Sequence, residues 1–171
     1  MIARLTLLAA LLLGLHGPAF AAVEIAFYSR ELGGNNFPHA FIRLVGTDDA
    51  TGAAVDTSYG FTARSVSPAL LFGSVAGEVL VEGEARIRAS DRQFRMTLSD
   101  AQYRAVIRVV DEWRNRAQPS YNLNRANCVH FVAAIALALG LRVEMPQRLM
   151  KRPRSFLQHL RDLNPNAIIV N

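Results

Sequence analysis

The sequence predicts one α+β domain in which an antiparallel sheet packs against a helix that carries a cysteine at its N-terminus. Three observations lead there. Segments rich in β-branched and aromatic residues, separated by turn residues, fill the first half of the chain. Helix-start and helix-stop signals fill the second half, at Ser99, Asn127 and Gly140. The chain has one cysteine, Cys128, and it opens the most apolar of the helical segments.

The elements follow in chain order. Met1-Ile2-Ala3-Arg4 carries one positive charge, Leu5 to Leu15 is almost wholly apolar, and Ala19-Phe20-Ala21 puts small residues where a signal peptidase reads them. That is the layout of a secretory signal peptide over residues 1–21, ahead of a single domain over 22–171. The apolar run falls short of the roughly 20 residues that span a bilayer, and Val129 to Leu141 is long enough only for a buried helix. The expectation is an exported protein, periplasmic or secreted, with no stable membrane span.

The remaining stretch of roughly 150 residues suits one hydrophobic core. With 51% hydrophobic and 19% charged residues, the composition excludes a disordered or fibrous chain. The formal charge is +5, or +4 without Arg4. Only Arg148 to Arg154 clusters, and it lacks the interleaved aromatics of a base-stacking platform, so nucleic acid is not the expected partner. A solvated basic face, attracted to an anionic envelope surface or polymer, accounts for the charge.

Val23 to Tyr28 reads as the first strand. The Gly33-Gly34-Asn35-Asn36 turn follows, positioned to rim a cleft, and Pro38 leads into a second strand from His39 to Gly46. After the turn-rich stretch Thr47 to Ala54, Val55 to Phe61 completes a hairpin. Glu78 to Ile87 alternates as a further strand, with Glu78, Glu82 and Glu84 expected on its solvated side. Ser99 and Gln102 form a capping box for an amphipathic helix through Val106, Ile107, Val110 and Trp113 that Pro119 closes.

Cys128 has no second cysteine to pair with in the chain. Asn127 is a favoured N-cap, which makes Cys128 the first helical residue. Unpaired N–H groups and the positive helix end favour a thiolate there. A thiolate nucleophile needs a basic partner. His130 stands two residues on, facing another direction, and reads as a polar group at the core edge; His159 lies in a short amphipathic stretch without special neighbours. His39, at the head of its strand, is the better candidate. Asp56 and Ser58 share one face of the next strand, so either can orient the ring; Asp56 is preferred because a carboxylate also stabilises an imidazolium.

At this point the motifs resemble a family. Asn127-Cys128-Val129-His130-Phe131-Val132 is similar to the Asn-Cys-x-His-Phe-Val signature of lecithin:retinol acyltransferase-like proteins, and the strand from His39 to Gly46 is similar to their histidine-led element. These proteins belong to the circularly permuted branch of the NlpC-type, papain-like thiol hydrolases. The resemblance implies a permuted papain-like domain with histidine first, cysteine later, and no cofactor. It carries over Cys128 as nucleophile and His39 as base. Where that group commonly has a second histidine, this chain has Asp56 and Ser58.

The expected function is therefore an exported cysteine hydrolase, an amidase or peptidase that cuts an envelope or cell-wall amide through an acyl-enzyme on Cys128. Its partner is a peptide or acyl substrate, and the sequence identifies no partner protein. An acyltransferase or ester hydrolase with the same dyad, and a non-catalytic envelope-binding module, stay open. No metal-ligand spacing occurs in the sequence.

Overall fold

Alternating apolar residues set the sheet. The computed structural model describes residues 22–31 and 37–170; the leader expected over 1–21 and the turn expected over 33–36 lie outside them. Strand β1 (Val23–Arg30) buries Val23, Ile25, Phe27 and Ser29 on one face. It pairs antiparallel with β2 (His39–Thr47), with Phe27 opposite Ile42 and Arg30 opposite His39. A tight turn, in which the Gly52 N–H donates to the Asp48 carbonyl at 2.8 Å, returns the chain as β3 (Ala54–Ala63), antiparallel to β2.

Then follow the short helix α1 (Ala69–Phe72), strand β4 (Gly77–Leu80) on β3, helix α2 (Glu84–Arg88), and strand β5 (Asp91–Leu98), which pairs antiparallel with β1. The five strands lie in the order β4-β3-β2-β1-β5. Helices α3 (Asp100–Arg114), α4 (Cys128–Ala138) and α5 (Pro153–Leu163) complete the chain. The result is an α+β fold on a five-stranded antiparallel sheet.

Two segments differ from the sequence expectation. The strand expected over Glu78 to Ile87 stops at Leu80, because Gly83 caps a new helix. Glu84 in its first turn and Arg86 and Arg88 in its last suit the helix dipole. Strand β5 was not anticipated. Its signal is the alternation of Phe94, Met96 and Leu98, interrupted by Arg95 and preceded by Asp91 and Arg92. Helix α3 begins on the expected capping box but ends at Asn115, short of Pro119.

Helix α4 is apolar on nearly all sides because it is covered on nearly all sides: it packs on β2, β3, α3 and α5, and Val129, Phe131, Val132 and Ile135 are buried. Phe61 of β3 and Trp113 of α3 meet edge-to-face at 4.8 Å, and Trp113 meets Phe131 of α4 at 5.4 Å. These rings fix the helix to the sheet, and with it the direction of its N-terminus. The helix stops where Leu139 caps it and Gly140 takes φ +78°, a conformation open to glycine. No described helix is long and apolar enough to cross a membrane.

Truncating Phe131 to alanine removes the central contact of this cluster. A loss of about 3–5 kcal/mol in urea unfolding is expected for Phe131→Ala, against a change within about 0.5 kcal/mol for Leu71→Ala on the exposed α1.

Candidate functional site

The site begins with the side chain that starts α4. Asn127 Oδ1 accepts from the backbone N–H groups of Val129 (2.8 Å) and His130 (3.3 Å). Its amide donates to the carbonyls of Leu123 and Met150, each at 2.8 Å. One buried side chain thus caps the helix and ties it to the loop before it and to the segment leading into α5. His130 Nδ1 accepts the Asn127 backbone N–H at 3.4 Å, filling the role of the glutamate in a capping box. The sequence reading of His130 as a polar group at the core edge becomes a definite capping role.

Cys128 is the first residue of α4 and is buried. His39, the first residue of β2, lines the same pocket, and each of the two favours the charged form of the other. His39 Nε2 lies 3.1 Å from Glu82 Oε1. Neither Nε2 nor that oxygen has a well-aligned hydrogen bond, so this contact acts through charge more than direction. The other Glu82 oxygen accepts from Arg86 Nη1 at 3.3 Å. Ser58 clamps the Glu82 backbone: its hydroxyl accepts from the Glu82 N–H at 2.8 Å and donates to the Glu82 carbonyl at 3.1 Å. Gly60 makes room, since a Cβ there would stand 2.5 Å from His39 Nε2 and 3.1 Å from Glu82 Oε1.

The structure therefore brings His39 and Cys128 together and does not bring Asp56 to them. Asp56 receives a bidentate pair from Arg43 at 3.0 and 3.1 Å on the exposed surface. The register explains why: Asp56 stands opposite Val45, six positions along β2 from His39, or roughly 20 Å at strand spacing. Glu82, expected among the solvated glutamates, takes the place expected for Asp56. Nothing in its sequence distinguishes it from Glu78 and Glu84 except the apolar Val79-Leu80-Val81 before it. Ser58 acts at one remove, through the Glu82 backbone. His159 lies on α5, 3.7 Å from Glu144.

Burial and charge act in opposite directions here. Burial alone lowers the His39 pKa, but the hydrogen bonds and negative charges of Cys128 and Glu82 outweigh it and push it up to about 9. Burial alone raises the Cys128 thiol; the hydrogen bond and charge of His39, with backbone N–H groups of Ala40 and Val129, hold it below its usual value. Burial raises the Glu82 carboxyl, and His39 and then Arg86 bring it below the ordinary range. Each shift favours the charged form: thiolate at Cys128, imidazolium at His39 and carboxylate at Glu82.

These groups open on a cleft of about 570 Å³. Val66, Leu70 and Leu71 contribute apolar lining, and Arg30 and Lys151 also line it. Tyr121 lines it too; burial, and then the negative charge of Cys128, keep its phenol protonated well above the usual pH. Among the described residues, no group of three or more His, Cys, Asp or Glu side chains is arranged to hold a metal ion.

No family model and no curated protein sequence matches the chain. Among solved structures, the chain is similar to the crystal structure of a type VI secretion system effector, TseH. The TM-score is 0.53 and the identity 16%, over 88% of this chain and 98% of that one. At that identity the likeness shows a shared fold.

The His39 shift gives a pH signature with a definite sign. A pKa raised from 6.5 to about 9 contributes stability that is full below 6.5 and is lost as pH rises through 9. In Glu82→Gln, the His39 titration followed by NMR should move down toward 6.5, and the decline of unfolding free energy with rising pH should move down with it.

Proposed function

We propose that this chain is an exported cysteine hydrolase of the permuted papain-like kind, cutting an amide through an acyl-enzyme, with Cys128 as nucleophile, His39 as base and Glu82 as the group that orients His39. The observation that carries the reading is the buried series Cys128–His39–Glu82 at the edge of an open cleft, with the thiol at a helix N-terminus. Each feature favours the thiolate, and a structural cysteine has no use for them.

In this mechanism the Cys128 sulfur attacks the carbonyl carbon and a C–S bond forms. The oxygen takes the negative charge, met by the Cys128 backbone N–H, since Asn127 already holds those of Val129 and His130, and by the protonated Tyr121 hydroxyl. The C–N bond then breaks as the departing amine takes the proton of His39. Water next gives a proton to His39 and attacks the thioester; the C–S bond breaks, releasing the acid and restoring the thiolate. Glu82 keeps the ring oriented and its positive charge compensated throughout.

The secretory leader read in the sequence directs the enzyme outside the cytoplasm. The fold shared with TseH, described as a secretion system effector, agrees with an exported protein. A cell-wall peptide amide is the substrate most accessible to such an enzyme, an argument from location and not from fold. One observation favours a second reading. Leu71 and Phe72 of α1 are 76% and 88% exposed beside the cleft, and an acyl chain would cover them, as in an acyltransferase or ester hydrolase.

Incubation with purified cell-wall peptides, quenched and read by mass spectrometry, tests the proposal. New amines and an acyl adduct on Cys128 are expected, with amine release reduced roughly a thousandfold or more in Cys128→Ala. Transfer of the adduct to an added alcohol in preference to water would favour the acyltransferase. Binding without any adduct, equal in wild type and Cys128→Ala, would instead make the chain a binding module.

A further inference from the structure

The charges around the cleft do not balance. Glu82 is paired with Arg86 and His39, and a thiolate at Cys128 is matched by the charge of the His39 imidazolium. Glu82 is the one carboxylate among the lining residues, and it is already shared between His39 and Arg86. Arg30 and Lys151 line the same cleft, and neither has a carboxylate within 4 Å among the described residues. Other arginines at this end of the fold are paired, Arg86 with Glu82 and Arg154 with Glu31 and Asp91.

Arg30 is held in a particular place. It is the last residue of β1 and stands directly opposite His39 in the antiparallel register. Directly opposed residues project on the same side of the sheet, a few ångströms apart. The Arg30 Nε is buried and has no hydrogen-bond acceptor among the described residues. A buried guanidinium N–H without an acceptor is costly to keep, and a planar guanidinium suits a carboxylate. Lys151, exposed, adds a second positive charge to the lining.

We propose that Arg30, assisted by Lys151, is an anion subsite that selects acyl substrates carrying a carboxylate close to the scissile carbonyl. The inference deepens the hydrolase reading and rests on it. Arg30 acts on substrate binding, whereas His39 and Glu82 act on the thiolate. The carboxylate is held beside Arg30, which stands opposite His39, and Val66, Leu70 and Leu71 offer lining for an apolar part of the same molecule.

The test compares alkylation of Cys128 by iodoacetate, a carboxylate, and by the isosteric neutral iodoacetamide. The expected result is a ratio of iodoacetate to iodoacetamide rates that falls at least threefold in Arg30→Gln and further in Arg30→Gln/Lys151→Gln. The iodoacetamide rate itself should stay near wild type, and Arg30→Lys should restore much of the ratio. Raising ionic strength should lower the wild-type ratio in the same direction. A ratio unchanged in both glutamine variants, with iodoacetamide still fast, would overturn the anion subsite and leave the hydrolase reading intact. Slow reaction with both reagents in the wild type would contradict the thiolate itself and overturn both. If Arg30→Gln fails to fold, Lys151→Gln and the salt dependence decide, and insensitivity to both counts against the subsite.

Discussion

Everything at this site depends on holding opposite charges out of water next to one another. A thiolate or an imidazolium buried alone would neutralise, because the protein interior does not replace its hydration. Together they persist, the proton on His39 being held first by Cys128 and then by Glu82. Without it, burial works against the imidazolium and Cys128 alone must hold the proton on His39. With it, the ring is charged on both sides, and Arg86 in turn keeps Glu82 ionised. The removal of one member of such a series costs more than the member contributes, since it leaves its neighbour charged and unpaired.

The fold exists, in this sense, to bring three chain segments to one point. The head of β2 brings His39, the start of α4 brings Cys128, and the link between β4 and α2 brings Glu82. Each is fixed by something other than the charges themselves. Asn127 fixes the helix start through four hydrogen bonds, Ser58 fixes the Glu82 backbone through two, and the Phe61–Trp113–Phe131 cluster fixes the helix on the sheet. Gly60 contributes by absence, leaving the space that His39 and Glu82 fill. Pre-organisation of this kind is what allows buried charges to be aimed rather than merely tolerated.

How much of this was legible beforehand varies by element. Local signals carried well: the Asn127 cap, the Ser99 capping box, Gly140 and the hairpin around Asp48 to Gly52 all rest on side-chain and backbone chemistry within a few residues. The thiol at a helix start and the histidine at a strand start followed from such signals. What depended on register did not carry. Asp56 was a reasonable partner for His39 until the pairing of β2 with β3 set it at the far end of the strand. Glu82 reaches His39 only because β4 pairs with β3 and the chain then bends at Gly83, and neither fact has a local signature. The alternation in β5 was visible but was masked by Asp91, Arg92 and Arg95, whose side chains lie along the sheet surface, Arg95 against Glu24.

The central claim is that Cys128 is a thiolate because His39 makes it one. The pH dependence of Cys128 alkylation by iodoacetamide, measured in the wild type and in His39→Ala, tests it most directly. Reactivity should persist well below the ordinary thiol pKa of about 8.5 in the wild type and retreat to higher pH in the variant. A slow reaction with the same pH profile in both proteins would contradict it, and would make Cys128 a buried structural residue.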